Sequence, residues 1–155
     1  MIVPDINLLI YAYDTDSPFH LKAASWWQAC MSGKEPVLLP EVVAFGFVRV
    51  ATNARAFRHP MTASEAACHV RSWMEQEILT IAEPAPDHVQ RVLGLLESLG
   101  TAGNLVTDAQ IAAITIEHDG VLHTADTDFI RFGGLRCLNP LSDEASARTR
   151  RPRRG

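Results

Sequence analysis

Met1-Ile2-Val3-Pro4-Asp5-Ile6-Asn7-Leu8-Leu9-Ile10-Tyr11-Ala12-Tyr13 opens the chain, an apolar run that changes character at one acid. Ile2 to Pro4 suits a short buried strand. Ile6 to Tyr13 suits a mostly apolar helix that stops near Asp14 to Pro18. Asp5 stands at the hand-over. A strand that ends in a polar residue and passes straight into a helix is the building unit of parallel α/β sheets, whose strand ends face one crevice.

The same alternation runs on along the chain. His20 to Met31 carries Ala23, Trp26, Trp27 and Cys30 near three- and four-residue spacings, which predicts a helix ending at Gly33. Val37 to Leu39 follows as a strand. Pro40-Glu41 opens a third helix to about Asn53, since proline is tolerated at the first helical position and an acid suits the positive end of the helix dipole. Thr62-Ala63-Ser64-Glu65 starts a fourth within Met61 to Gln76, with Ala66, His69, Val70 and Trp73 on one face. Ile78 to Ile81 reads as a strand, Pro84 to Pro86 as a turn and Asp87 to Leu99 as a helix. After the loop Gly100-Thr101-Ala102-Gly103, a helix runs to Gly120, Val121 to Thr124 forms a strand, Asp126 to Phe132 returns to helix and Leu135 to Leu138 closes as a last strand. Right-handed crossovers then imply a mostly parallel sheet of four or five strands covered by helices on both faces, in one domain over residues 1–141.

The bulk numbers agree with a single core and exclude several classes. The chain has 155 residues, of which 47% are hydrophobic. Cys30, Cys68 and Cys137 are odd in number, far apart and outside any Cys-x-x-Cys pair, which argues against a disulfide framework and against structural zinc. A reducing cytoplasm is expected. The first residues have no basic region and Pro4 and Asp5 break their apolar run, so neither a signal peptide nor a membrane anchor is expected.

The net charge of −4 hides an asymmetry. Arg148, Arg150, Arg151, Arg153 and Arg154 crowd the last eight residues, and without them 9 Lys and Arg face 18 Asp and Glu. Residues 142–155 are therefore expected to be a disordered Arg-rich tail, with a nucleic-acid-binding arm as the alternative. An acidic body does not exclude a nucleic-acid substrate if metal ions bridge acid and phosphate.

Four aspartates, Asp5, Asp108, Asp126 and Asp128, fall where strands hand over to helices or where helices begin. Carboxylates gathered within about 4 Å repel by about 4 kcal/mol per pair at an effective dielectric of about 20, so a cation is needed to keep them ionised together. Hard oxygen ligands favour Mg²⁺ or Mn²⁺. Each acid also has a plainer reading. Asp5 could cap its helix through a backbone N–H. Asp108 shares a helical face with Ile111, Ala112 and Thr115, where burial would demand a partner, unless it faces solvent and complements the dipole. One member of the pair Asp126 and Asp128 is expected as a ligand and the other as a cap, with Asp126 assigned the first role and Asp128 the second. Of the six histidines, only His123 falls beside these acids; packing or surface roles are expected for all six. Core positions are likewise the default for Trp26, Trp27, Phe45, Phe47 and Trp73, with a partner surface as the alternative.

Three segments together resemble a known family: Val3-Pro4-Asp5-Ile6-Asn7-Leu8-Leu9, Thr107-Asp108-Ala109-Gln110-Ile111-Ala112-Ala113 and Thr124-Ala125-Asp126-Thr127-Asp128-Phe129. Their order and spacing are similar to those of the PIN-domain ribonucleases, and within these to the VapC toxins of bacterial toxin–antitoxin pairs. The resemblance spans residues 1 to about 141. It implies a PIN-like three-layer sandwich, endonucleolytic cleavage of RNA, a small cognate VapB-like antitoxin and a homodimer. It also implies an acidic site for Mg²⁺ or Mn²⁺, with Asp5 and Asp108 at the metal-ligand positions, Asp126 as the late acid that completes the metal set and Asp128 as a neighbouring catalytic candidate. Asn7, a second polar group near the start of the first helix, and Thr124 are second-tier candidates.

One departure stands out. The resemblance calls for a glutamate about a turn and a half into the third helix, where the register places Gly46. Glu41, five residues earlier, lies about 140° around the helix and is a second-tier candidate that could reach the site only from the helix start. The missing acid bears on whether one metal or two are held. Two rival readings follow: a PIN-like module that binds RNA or protein without cutting, and phosphoryl transfer onto Asp5. The second calls for an Asp-x-Asp-x-Thr start or a well-placed late lysine, and the chain has neither, its only lysines being Lys22 and Lys34.

Overall fold

The structure is a computed structural model in which residues 1–142 are described; apart from Ser142, the Arg-rich segment lies outside the described residues. The elements are β1 (Ile2–Pro4), α1 (Ile6–Tyr13), α2 (His20–Ser32), β2 (Val37–Pro40), α3 (Glu41–Ala51), α4 (Ala63–Met74), β3 (Leu79–Ala82), α5 (His88–Leu99), α6 (Leu105–Glu117), β4 (Val121–His123), a 3₁₀ turn (Thr127–Arg131) and β5 (Cys137–Leu138).

The sheet has the order β3-β2-β1-β4-β5, and every pairing is parallel. The chain moves from β1 through β2 to β3 in one direction, then crosses back past β1 to β4 and β5. Right-handed crossovers therefore put α1 to α4 on one face and α5 and α6 on the other. The direction reverses between β1 and β4, which is where open α/β sheets form their binding crevice. Asp5 follows β1 and Thr124 follows β4 at that point.

Strands β1 and β2 are buried at every position, as expected for a sheet covered on both sides. On α3 the buried residues Val43, Ala44, Phe47 and Ala51 form one stripe. Trp73 of α4 meets Trp27 of α2 at 5.4 Å and Phe47 at 4.8 Å between ring centroids, both edge-on, and its Nε1 donates to Tyr13 Oη at 2.7 Å. Most of the aromatic surplus is thus core. Phe45 is not: it is 69% exposed. Thr62 and Glu65 form the reciprocal capping box that starts α4. All three cysteines are free thiols. Among the described residues no helix is long and apolar enough to cross a membrane.

Two elements are shorter than the sequence predicts. The segment after Asp126 makes a five-residue 3₁₀ turn, a form suited to short pieces. β5 has only Cys137 and Leu138, because Gly134 at φ 81° is still turning the chain.

Candidate active site

Asp5 occupies the N-cap position of α1 with extended backbone, yet its side chain makes no capping hydrogen bond. The cap reading fails because the carboxylate is engaged elsewhere. It is 3% exposed, and its Oδ2 accepts a hydrogen bond from Thr124 Oγ1 at 2.8 Å. Burial pushes the Asp5 carboxyl up to about 6; the Thr124 hydroxyl and the nearby Ile6 amide oppose this, and the charges of Asp108 and Asp126 add to it.

Thr124 is itself buried, and its Oγ1 accepts the Asp126 N–H at 2.9 Å. One hydroxyl therefore links the ends of two neighbouring strands. Asp126 Oδ1 in turn accepts the Asp128 N–H at 2.8 Å and caps the 3₁₀ turn. This corrects the expectation for the pair: the cap is Asp126, and Asp128 is an exposed acid at the rim. The extended backbone of Asp126 aims its side chain along the turn, which Asp128, already inside the turn, cannot do.

Asp108 sits in the first turn of α6, half-buried, and is also pushed up to about 6, first by burial and then by Asp126 and Asp128. All four aspartates thus converge from β1, α6 and the turn after β4. Among the described residues none of the four is paired with a basic side chain. The cluster is open, however. Among the described residues no three His, Cys, Asp or Glu side chains stand close enough to hold a metal as placed. The donor set fits a hard cation in kind, and buried acids with raised pKa values need such a charge; an ion would have to draw the side chains together.

The second-tier residues separate. Thr124 is central. Asn7 is exposed on α1, away from these contacts. Glu41 is exposed in the first turn of α3 and lines a groove between α3 and α6 with Gly46, Thr107 and Gln110, beside the cluster. Gly46 is buried, and a Cβ there would lie 2.3 Å from Ile6 Cδ1 and 2.9 Å from Ile6 Cγ1, so Ile6 occupies the space that a longer residue would need. His123 accepts from Trp26 Nε1 at 3.0 Å, and burial holds its ring down at about 4, so it is a neutral packing residue. In the sequence, the signal for Thr124 is a hydroxyl on the same strand face as buried Leu122, followed two residues later by an acid.

The sequence model of the PIN domain matches residues 2–135. Ribonuclease VapC33 of Mycobacterium tuberculosis is 43% identical over 143 residues, covering 92% of this chain and 100% of the relative. Ribonuclease VapC37 of the same organism is 33% identical over 140 residues, covering 90% and 97%. Among solved structures, M. tuberculosis VapC20, described as a sarcin–ricin-loop-cleaving toxin, aligns with a TM-score of 0.66 at 16% identity, over 88% of this chain and 99% of that one. VapBC-1 from nontypeable Haemophilus influenzae aligns with a TM-score of 0.64 at 16% identity, over 92% and 100%. The solved structures speak to the fold. The chain belongs to the PIN-domain family.

Proposed function

We propose that this chain is a metal-dependent endoribonuclease of the VapC type, the toxin of a toxin–antitoxin pair, hydrolysing RNA phosphodiester bonds at the aspartate cluster. The observation that carries the reading is Asp5, a buried carboxylate whose neighbours Asp108 and Asp126 are also acids. The relatives named as ribonucleases, matched over nearly the whole chain, support it.

Asp5, Asp108 and Asp126 would hold Mg²⁺ or Mn²⁺, which when bound offsets phosphate charge and makes water a better nucleophile at neutral pH. Thr124 fixes the Asp5 carboxylate by its hydrogen bond. Asp126 spends Oδ1 on the Asp128 amide, which leaves Oδ2 for the site. Asp128, which is exposed, or Glu41 would orient the attacking water as general base. No side chain needs to act as a nucleophile. The same reading includes a cytoplasmic protein, a homodimer and a cognate VapB-like antitoxin that covers the acidic cleft. It also takes residues 1–141 as the nuclease domain.

Gly46 and the open spacing of the acids favour a second reading, a PIN-like module that holds RNA or protein without cutting. Incubating purified protein with an RNA pool, with Mg²⁺, Mn²⁺ or EDTA, separates the two. Cleavage that needs the metal and is lost in Asp108→Asn supports the nuclease; binding without cleavage supports the module.

A further inference from the structure

We infer that the groove between α3 and α6 is a nucleotide subsite that seats one single-stranded RNA residue beside the scissile phosphate, and that it prefers adenine. The inference rests on the ribonuclease reading above and names three residues that reading does not use: Phe45, Arg49 and Gln110.

The groove holds about 420 Å³, within the range of small-molecule sites. Thr107 on its wall is the residue before Asp108, so the groove lies within one turn of α6 from that acid. Glu41, Phe45 and Arg49 follow one another at four-residue steps along α3, so they share one face over about 12 Å. A lone exposed phenylalanine needs no explanation. This one is 69% exposed and lines a groove, and a base stacks well on such a ring.

Charge orients the occupant. Arg49 has no ion-pair or hydrogen-bond partner among the described residues and sits in the last turn of α3. Its guanidinium is free for a phosphate. Glu41 lies at the opposite end of the same face, toward the acid cluster. Gln110 stands on α6 one turn after Thr107 and is half-buried, which limits its movement. A glutamine amide carries one donor face and one acceptor face, the pair that matches N6 and N7 of adenine. Single-stranded RNA exposes those edges for reading.

The test uses full-length protein carrying Asp108→Asn, so that RNA stays intact, and measures affinity for fluorescent oligo-A, oligo-C and oligo-U across a salt titration. The parent should bind oligo-A most tightly. Adding Phe45→Ala should weaken all three by about 10-fold, with Phe45→Tyr restoring them. Arg49→Ala should weaken all three and make the log–log salt slope shallower by about 0.7. Gln110→Ala should bring oligo-A down to the level of the others, while Gln110→Asn retains part of the preference. All these side chains are exposed or half-buried, so each variant should melt close to the parent. If the variants bind every oligonucleotide as the parent does, the subsite is wrong while the nuclease reading stands. If Phe45→Ala alters only the oligomeric state, the groove is an interface between copies and the inference is likewise wrong. Groove-dependent RNA binding by a wild-type chain that never cuts RNA would keep the subsite and sink the nuclease.

Discussion

Thr124 donates to Asp5 Oδ2 at 2.8 Å while accepting the Asp126 amide at 2.9 Å, so a single buried hydroxyl ties the end of β1 to the turn after β4. Thr124→Val keeps the shape and removes both bonds. Asp5 then loses the main interaction that favours its ionised form. The expected outcome is a stability loss of about 1–3 kcal/mol at neutral pH and a large fall in RNA cleavage, with Thr124→Ser close to wild type. Urea unfolding alongside a cleavage assay checks both.

The metal-free protein should lose stability as pH rises. Asp5 and Asp108 have folded values of about 6 against an ordinary 3.8, so between those values the folded state binds more protons than the unfolded state. Stability is therefore highest near pH 4 and falls until about pH 6, as far as these two groups decide it. Asp108 is half exposed and contributes less, through solvent screening. Asp5→Asn should flatten the decline and stabilise the metal-free protein at pH 7 by up to about 3 kcal/mol. Thermal melts from pH 4 to pH 7 in EDTA measure this. A wild-type stability that climbs through the window would mean that Asp5 is compensated by something other than metal.

The cap assignment makes Asp126 and Asp128 distinguishable. Asp126→Asn retains an oxygen for the Asp128 amide and should keep its stability while losing cleavage. Asp126→Ala loses both, at about 0.5–2 kcal/mol. Asp128→Asn should fold normally and slow cleavage without abolishing it, the effect being seen as a changed pH–rate profile.

Most of the fold is legible in the sequence because local signals and global topology agree. Pro40-Glu41 starts α3, Thr62 and Glu65 start α4, and Gly33, Gly100 and Gly120 sit near element ends. What escapes is decided by backbone angles and distant partners. Which of Asp126 and Asp128 caps the turn depends on the extended conformation at Asp126, and Thr124 gains its role from an acid 119 residues away. The outward position of Phe45 could have been read, since Val43, Phe47 and Ala51 at four-residue steps already define the buried stripe of α3. The open spacing of the acids has no sequence signature.

Gly46 is where packing and chemistry meet. Gly46→Ala drives a Cβ into Ile6 and should cost about 1–3 kcal/mol, even though alanine is the better helix former. Ile6→Val should relieve part of that cost in the double variant, giving a clear coupling in denaturation measurements. Gly46→Glu alone should therefore not raise metal affinity. Gain of tighter Mn²⁺ binding in that single variant would show that Ile6 moves aside freely.

The most direct test of the aspartate cluster pairs two readouts on wild type, Asp5→Asn and Asp108→Asn: thermal midpoint with and without Mg²⁺, and cleavage of an RNA pool. In wild type, Mg²⁺ should raise the midpoint and permit cleavage. Each variant should melt at or above the metal-free wild type, gain little from Mg²⁺ and leave RNA intact, because the substitution removes a repelling charge and a ligand at once. Variants that cut RNA as fast as wild type, with the same midpoint rise in Mg²⁺, would contradict the account.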